Sequence, residues 1–259
     1  MSNSTDLVLI NPGNQSEIYQ SLSLDYTAKE PPVWSGLIAT AIRNKGYSVK
    51  IIDANAEDFI PTEAAKSVVQ LNPSLTAIMI YGHNPSASTQ VMPGGSAICA
   101  ALKQLAPEIP RIMVGGHVAA LPDRTLKEED VDFTCAGEGP YTLSKLIDNI
   151  KSGKRNYDEV PGLWYRQNGS VKFTDPAPLM TDLDEEIPGV AWDLLPMDKY
   201  KAHNWHSFDA LDKRHPYASI YTTLGCSFKC SFCCINAPFD GPSYRMRSPG
   251  NLLEEIDTL

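Results

Sequence analysis

Residues 111–117, Arg111-Ile112-Met113-Val114-Gly115-Gly116-His117, decide the fold. A short apolar run that closes on two glycines reads as a buried strand feeding a tight turn, because glycine alone tolerates the backbone angles such turns demand. The same unit recurs outward in both directions. Residues 7–10 close on Asn11-Pro12-Gly13, residues 76–81 run into Gly82 and His83, and residues 131–135 precede Gly137-Glu138-Gly139; a further run covers 48–52. Helix-like segments alternate with these runs. Residues 34–45 stop at Gly46, residues 62–71 start from Thr62 as a cap with Pro73 beyond their end, and 96–105 and 141–151 complete the set. Strands alternating with helices predict βαβ units. The expected fold is therefore α/β: a doubly wound, five-stranded parallel sheet with four covering helices. A ligand of such a fold lies across the carboxyl ends of the strands, near the switch in strand order, which is where the glycine turns fall.

The 259 residues exceed one average domain of roughly 150. A hydrophobic share of 42% and a charged share of 20% allow an ordinary core without disulfides. The net charge of -9, with no Lys/Arg stripe, removes the electrostatic basis for nucleic-acid binding. No basic leader precedes a long apolar run and no apolar run reaches about 18 residues, so neither a signal peptide nor a membrane span is expected and the location expected is the cytoplasm.

After residue 150 the pattern changes. Asn168-Gly169, between two alternating arms, marks a hairpin expected to form a small β appendage. Residues 175–198 hold seven acidic residues, four prolines and no Lys or Arg, the composition of an extended, solvated connector. Residues 217–223 read as a buried strand, and an amphipathic helix begins near Asn251. His203 and His206 share a helix face with Trp205 between them, but no third ligand is near; packing against the first domain is expected.

Six cysteines in a reducing compartment are metal ligands or thiols rather than bridges. Cys99 and Cys135 stand alone in apolar runs and are expected to be buried. Cys226, Cys230, Cys233 and Cys234 crowd into nine residues, with C-x3-C-x2-C spacing over the first three. Three thiolates on one loop can take three corners of an iron–sulfur cube and leave the fourth iron open. A zinc knuckle would need four thiolates, and vicinal Cys233 and Cys234 reach one ion poorly. A ferredoxin-type carrier also uses four cysteines. Cys234 is read as a packed or cluster-adjacent thiol.

The triad resembles the radical S-adenosylmethionine superfamily. The resemblance implies that Cys226, Cys230 and Cys233 hold a 4Fe–4S cluster, that S-adenosylmethionine chelates its open iron and is cleaved to a 5'-deoxyadenosyl radical, and that Phe232 lies near the adenine. Residues 1–150 are similar to the cobalamin-binding domain that precedes the radical domain in one branch of that superfamily, a flavodoxin-like sheet. That likeness places Asn11, Gly13, Gly82, His83, Gly115, Gly116, His117, Gly137, Glu138 and Gly139 around cobalamin. The D-x-H-x-x-G sequence that supplies an axial histidine in methionine-synthase-like domains is absent, so the resemblance implies cobalamin bound with its benzimidazole tail detached and no protein histidine below the metal.

The expected organisation is a cobalamin-binding domain over 1–150, a hairpin and acidic Pro-rich linker over 151–210, and the start of a radical βα barrel over 211–259. The implied activity is methyl transfer to an unactivated carbon of a small-molecule substrate, with electrons from a donor such as flavodoxin or ferredoxin. The alternative is a non-catalytic cobalamin-binding or sensor module with a structural cluster; deoxyadenosine formation separates the two. Only 26 residues follow Cys233, so the barrel is expected to be incomplete in this chain, which would bind cobalamin yet be deficient in S-adenosylmethionine cleavage.

Overall fold

The computed structural model describes residues 5–13, 27–82, 87–204 and 210–259. Five strands pair in parallel in the order β2-β1-β3-β4-β5. They are β1 (Leu7–Asn11), β2 (Val49–Asp53), β3 (Leu75–Ile80), β4 (Arg111–Gly115) and β5 (Phe133–Cys135). Alternation along β1 explains why helices cover both faces. Leu7 and Leu9 pack with helices α1 (Val33–Asn44) and α6 (Pro140–Lys151), while Val8 and Ile10 pack with α2 (Pro61–Leu71) and α3 (Ser88–Leu105). Every residue of β3 is buried, as a central parallel strand requires. The strand order reverses between β1 and β3, so Asn11 and Tyr81 flank the switch point.

Several expectations change. The sheet has seven strands among the described residues, because β6 (Leu163–Gln167) and β7 (Ser170–Phe173) extend it. The Asn168-Gly169 hairpin is thus no appendage: β6 pairs antiparallel with β5, and Leu163 and Tyr165 are buried in the main core. Two short helices outside the expected pattern, α4 (Gly116–Ala120) and α5 (Pro122–Glu128), carry the chain from β4 to β5. Helix α3 starts eight residues before its expected Ser96 and runs through Pro93 and two glycines. Gly95 explains the tolerance. A Cβ there would stand 2.5 Å from the Ile80 side chain, so the glycine lets α3 press against β3.

The acidic connector is not solvated throughout. Met180, Leu183, Ile187, Val190, Ala191, Trp192 and Leu195 are buried on the main core, with α7 (Leu183–Glu186) between them. Composition misleads here because the prolines and carboxylates alternate with apolar side chains that face inward. At Gly36 the approach is closest: a Cβ would lie 2.3 Å from Val190 Cγ1, and Ala191 N donates to Gly36 O.

Residues 217–223 do not form the expected strand. Strand β8 (Thr223–Cys226) starts where that stretch ends and pairs antiparallel with β9 (Ser243–Met246), rather than as a first parallel barrel strand; α8 (Pro249–Asp257) follows. Tyr217, Ala218, Ile220 and Tyr221 instead pack, partly buried and outside any strand, against the first core. No described helix is long and apolar enough to cross a membrane.

Candidate functional site

The carboxyl ends of the parallel strands face the cysteine segment across a cleft of two adjoining cavities. The first, about 100 Å³, is bounded by Asn11 and Pro12 after β1, Asn55 after β2, Tyr81 and Gly82 after β3, and Trp34. The second, about 360 Å³, shares Trp34, Tyr81, Gly82 and Tyr221 and adds Gly116 on one wall, with Thr223, Leu224 and Gly225 of β8 on the other. Their shared wall is aromatic. Trp34 stacks on Tyr81 at 4.7 Å and on Phe239 at 5.9 Å, and meets Tyr221 edge-on at 6.4 Å. The first helix, the switch point and the cysteine segment therefore meet at one residue, Trp34, whose apolar contact fixes the cleft.

The turn after β4 is built for close approach. Gly115 has φ +152, and a Cβ there would stand 2.0 Å from Ile80 O, so only glycine fits beside β3. At Gly116 a Cβ would meet Cys234 Sγ at 3.2 Å and Ser88 Oγ at 3.5 Å. Cys234 thus packs on the glycine turn of the sheet, and burial, with the neighbouring Cys233 thiol, pushes its own thiol up.

Beneath the other end of the cleft lies a network that sequence reasoning misses. Asp53, 2% exposed, accepts Asn11 Nδ2 at 2.7 Å, Tyr200 Oη at 2.8 Å, Ala56 N at 3.0 Å and Asn55 N at 3.1 Å. Burial raises its carboxyl, and these donors pull it back. The bonds hold Asn11 at the head of β1. An acidic residue closing a β-branched run, as Asp53 closes Val49–Asp53, is the available signal; Tyr200, 147 residues away, has none.

The expected cobalamin residues separate into groups. Asn11, Gly82 and Gly116 line the cavities. Gly13 abuts Ala54, where a Cβ would stand 2.8 Å from the carbonyl oxygen. His117 lies off the cavity walls: its Nδ1 is 2.9 Å from Thr89 Oγ1, its amide donates to Ser88 Oγ, and burial and Arg124 lower its imidazole. Gly115, Gly137 and Gly139 shape turns without lining either cavity. Glu138 lines neither cavity: 4% exposed, it accepts from Met180 N at 2.8 Å and pairs with Arg245 at 2.5 Å. His83, Trp205 and His206 lie outside the described residues.

The cysteines share one loop. Cys226 ends β8, Cys233 N donates to Cys230 O at 3.1 Å, and Ala237 N to Cys234 O at 3.0 Å. Cys230 is exposed and Cys226 and Cys233 are half-buried; Phe232 is 83% exposed. Among the described residues no three Cys, His, Asp or Glu side chains converge on a metal position. The three thiols have the donor type an iron–sulfur cluster takes and share one accessible loop, without being gathered around a common point in this structure. Cys99 and Cys135 are buried, as expected, and burial raises both thiols.

The chemistry of the cleft lining suits a corrinoid. Its wall holds glycine turns and an aromatic stack, and the buried Tyr81 hydroxyl lacks a protein partner. A corrinoid is larger than either cavity and would span both.

Residues 22–147 match the family model of the B12 binding domain. An uncharacterized methyltransferase of Pyrococcus horikoshii is 31% identical over 254 residues, 98% of this chain and 50% of that protein. The solved structure of the cobalamin-dependent S-adenosylmethionine radical enzyme OxsB, with aqua-cobalamin and S-adenosylmethionine bound, has a TM-score of 0.68 at 17% identity, covering 98% of this chain and 31% of that one. The radical S-adenosylmethionine methyltransferase TsrM of Kitasatospora setae, with cobalamin and a [4Fe-4S] cluster bound, gives 0.68 at 16% identity, covering 98% and 46%. At these identities the structural likeness is one of fold. The chain spans half or less of the length of the curated relatives it matches.

Proposed function

We propose that this chain supplies the cobalamin site and the cluster ligands of a cobalamin-dependent radical S-adenosylmethionine enzyme that transfers a methyl group to an unactivated carbon of a small-molecule substrate. The observation that carries the reading is the cleft: one wall is the switch point of a doubly wound sheet, and the other is the strand that ends in Cys226. The match over residues 22–147 supports cobalamin, and the Pyrococcus relative supports methyl transfer.

Asn11, Gly82, Gly116, Trp34 and Tyr81 would hold the corrinoid, with Asp53 fixing Asn11. Cys226, Cys230 and Cys233 would hold the 4Fe–4S cluster, and Phe232 would lie against the adenine of S-adenosylmethionine. When bound, the cluster and S-adenosylmethionine supply a 5'-deoxyadenosyl radical and the corrinoid supplies the methyl group. The chain's part is placement: the aromatic wall would face the corrinoid, and Cys234, packed on Gly116, would stay out of the ligand set. A cytoplasmic flavodoxin or ferredoxin would deliver the electron.

Anaerobic reconstitution with iron and sulfide tests the reading. The reduced protein should give an S = 1/2 cluster signal that shifts when S-adenosylmethionine is added, because the fourth iron is open. A cluster indifferent to S-adenosylmethionine would favour the non-catalytic cobalamin-binding module; stoichiometric zinc without iron would reject both.

A further inference from the structure

Glu138 follows β5 in a glycine turn, at the carboxyl end of the sheet where a cofactor contact would be sought. Its carboxylate is committed elsewhere. Oε1 accepts Arg245 Nη2 at 2.5 Å, Oε2 accepts Arg245 Nη1 at 3.1 Å, and Oε2 also accepts Met180 N at 2.8 Å. Arg245 Nη1 donates in addition to Met180 O, and its guanidinium lies 5.5 Å over the Phe239 ring. A forked, bidentate pair of this kind fixes orientation as well as distance.

Arg245 sits on β9 opposite Leu224, two residues along the hairpin from the Cys226–Ser243 pair that ends it. Two residues on, Arg247 makes a second buried pair with Glu255 at 2.5 Å, both side chains 2% exposed. Glu255 also accepts Val190 N and Trp192 Nε1, so this pair ties α8 to the connector that packs on Gly36. The two arginines thus have different attachments. Arg247 binds the hairpin to its own helix and to the connector, and Arg245 reaches a carboxylate of the sheet's glycine turns.

We infer that Glu138 is a positioning residue: through Arg245 it sets the β8–β9 hairpin, and with it Cys226, over the cofactor face of the sheet. This inference rests on the function proposed above only where it speaks of the cofactor face. The hairpin has few anchors of its own, since β8 buries Leu224 alone and β9 has no buried residue. Loss of the forked pair removes its direct tie to the sheet's glycine turn and loosens it on its remaining attachments through Arg247 and Phe239, while the sheet behind Glu138 keeps its core.

The test is amide exchange on the full chain with Glu138→Gln, which keeps an acceptor for Met180 N, and with Arg245→Met and Arg245→Lys. Exchange in 223–226 and 243–246 should quicken by about tenfold or more in Glu138→Gln and Arg245→Met, and less in Arg245→Lys, with β3 unchanged. Cobalamin affinity should move by less than about twofold, whereas the broadening of the cob(II)alamin signal by the reduced cluster should change. Equal speeding of hairpin and β3 would make Glu138 a general stabiliser and overturn the inference. Cobalamin affinity lost with hairpin exchange unchanged would make it a cofactor contact and overturn the inference equally. A parent chain that binds no cobalamin contradicts the proposed function, and the exchange result still decides the hairpin's anchorage.

Discussion

Strand β3 is buried at all six residues, whereas β8, on the opposite wall of the same cleft, buries only Leu224. The first belongs to a sheet with helices on both faces and a core of its own. The second is part of a two-stranded ribbon held by side chains that reach into its neighbours: Arg245 to Glu138, Arg247 and Glu255 to the connector, and Phe239 to Trp34. An isolated hairpin is marginal in water, so such attachments decide where its cysteines stand. The sheet makes a rigid wall of the cleft, and the ribbon is set against it by a few polar and aromatic contacts.

The largest expected effect falls in the ribbon. Replacing Cys226, Cys230 or Cys233 singly by Ala should abolish the 4Fe–4S absorbance of reconstituted protein, whereas Cys234→Ala should keep it, because Cys234 packs on Gly116 and lies outside the C-x3-C-x2-C spacing. A cluster lost in Cys234→Ala and kept in Cys233→Ala would shift the register and break the contrast.

Next comes Arg247→Met, which leaves Glu255 buried and unpaired; denaturant unfolding should show a loss of about 3–5 kcal/mol. An unchanged midpoint would mean that the ribbon carries no share of the cooperative fold. On the sheet side, Gly115→Ala should cost about 1–3 kcal/mol by the same measurement, from backbone strain and the clash with Ile80 O. Gly137→Ala should be near neutral, since a Cβ there meets only Ala177 at 3.5 Å. Equal costs at the two glycines would show that the turns do not differ as described. Between these two falls Asp53→Asn, which should cost about 1–2 kcal/mol, with cobalamin affinity lowered through Asn11, read by titration.

The same contrast explains how much of the molecule is legible in its sequence. Each parallel strand is a local apolar run closed by a turn residue, so Leu7–Asn11 and Arg111–Gly115 announce themselves within about one residue of their ends. The start of helix α3 escapes such a reading because Pro93-Gly94-Gly95 looks like a break, and only contact with Ile80 makes Gly95 useful. The cysteine spacing is legible as chemistry, but the place of the ribbon is not: the bonds that set it join Glu138 to Arg245 and Val190 to Glu255, across 107 and 65 residues. Glu138 shows what local reading leaves out: its Gly-Glu-Gly setting is legible, while its bonds to Met180 N and Arg245 span 42 and 107 residues.

The most direct test of the account is the electron paramagnetic resonance spectrum of cob(II)alamin titrated with the protein. Free cob(II)alamin carries nitrogen splitting from its own base. With the corrinoid seated on the sheet face, its tail detached and His117 held at Thr89, that splitting should disappear on binding and no other should replace it. A nitrogen triplet that persists in the bound state and vanishes in His117→Ala or His83→Ala, or a spectrum unchanged by any amount of protein, would contradict it.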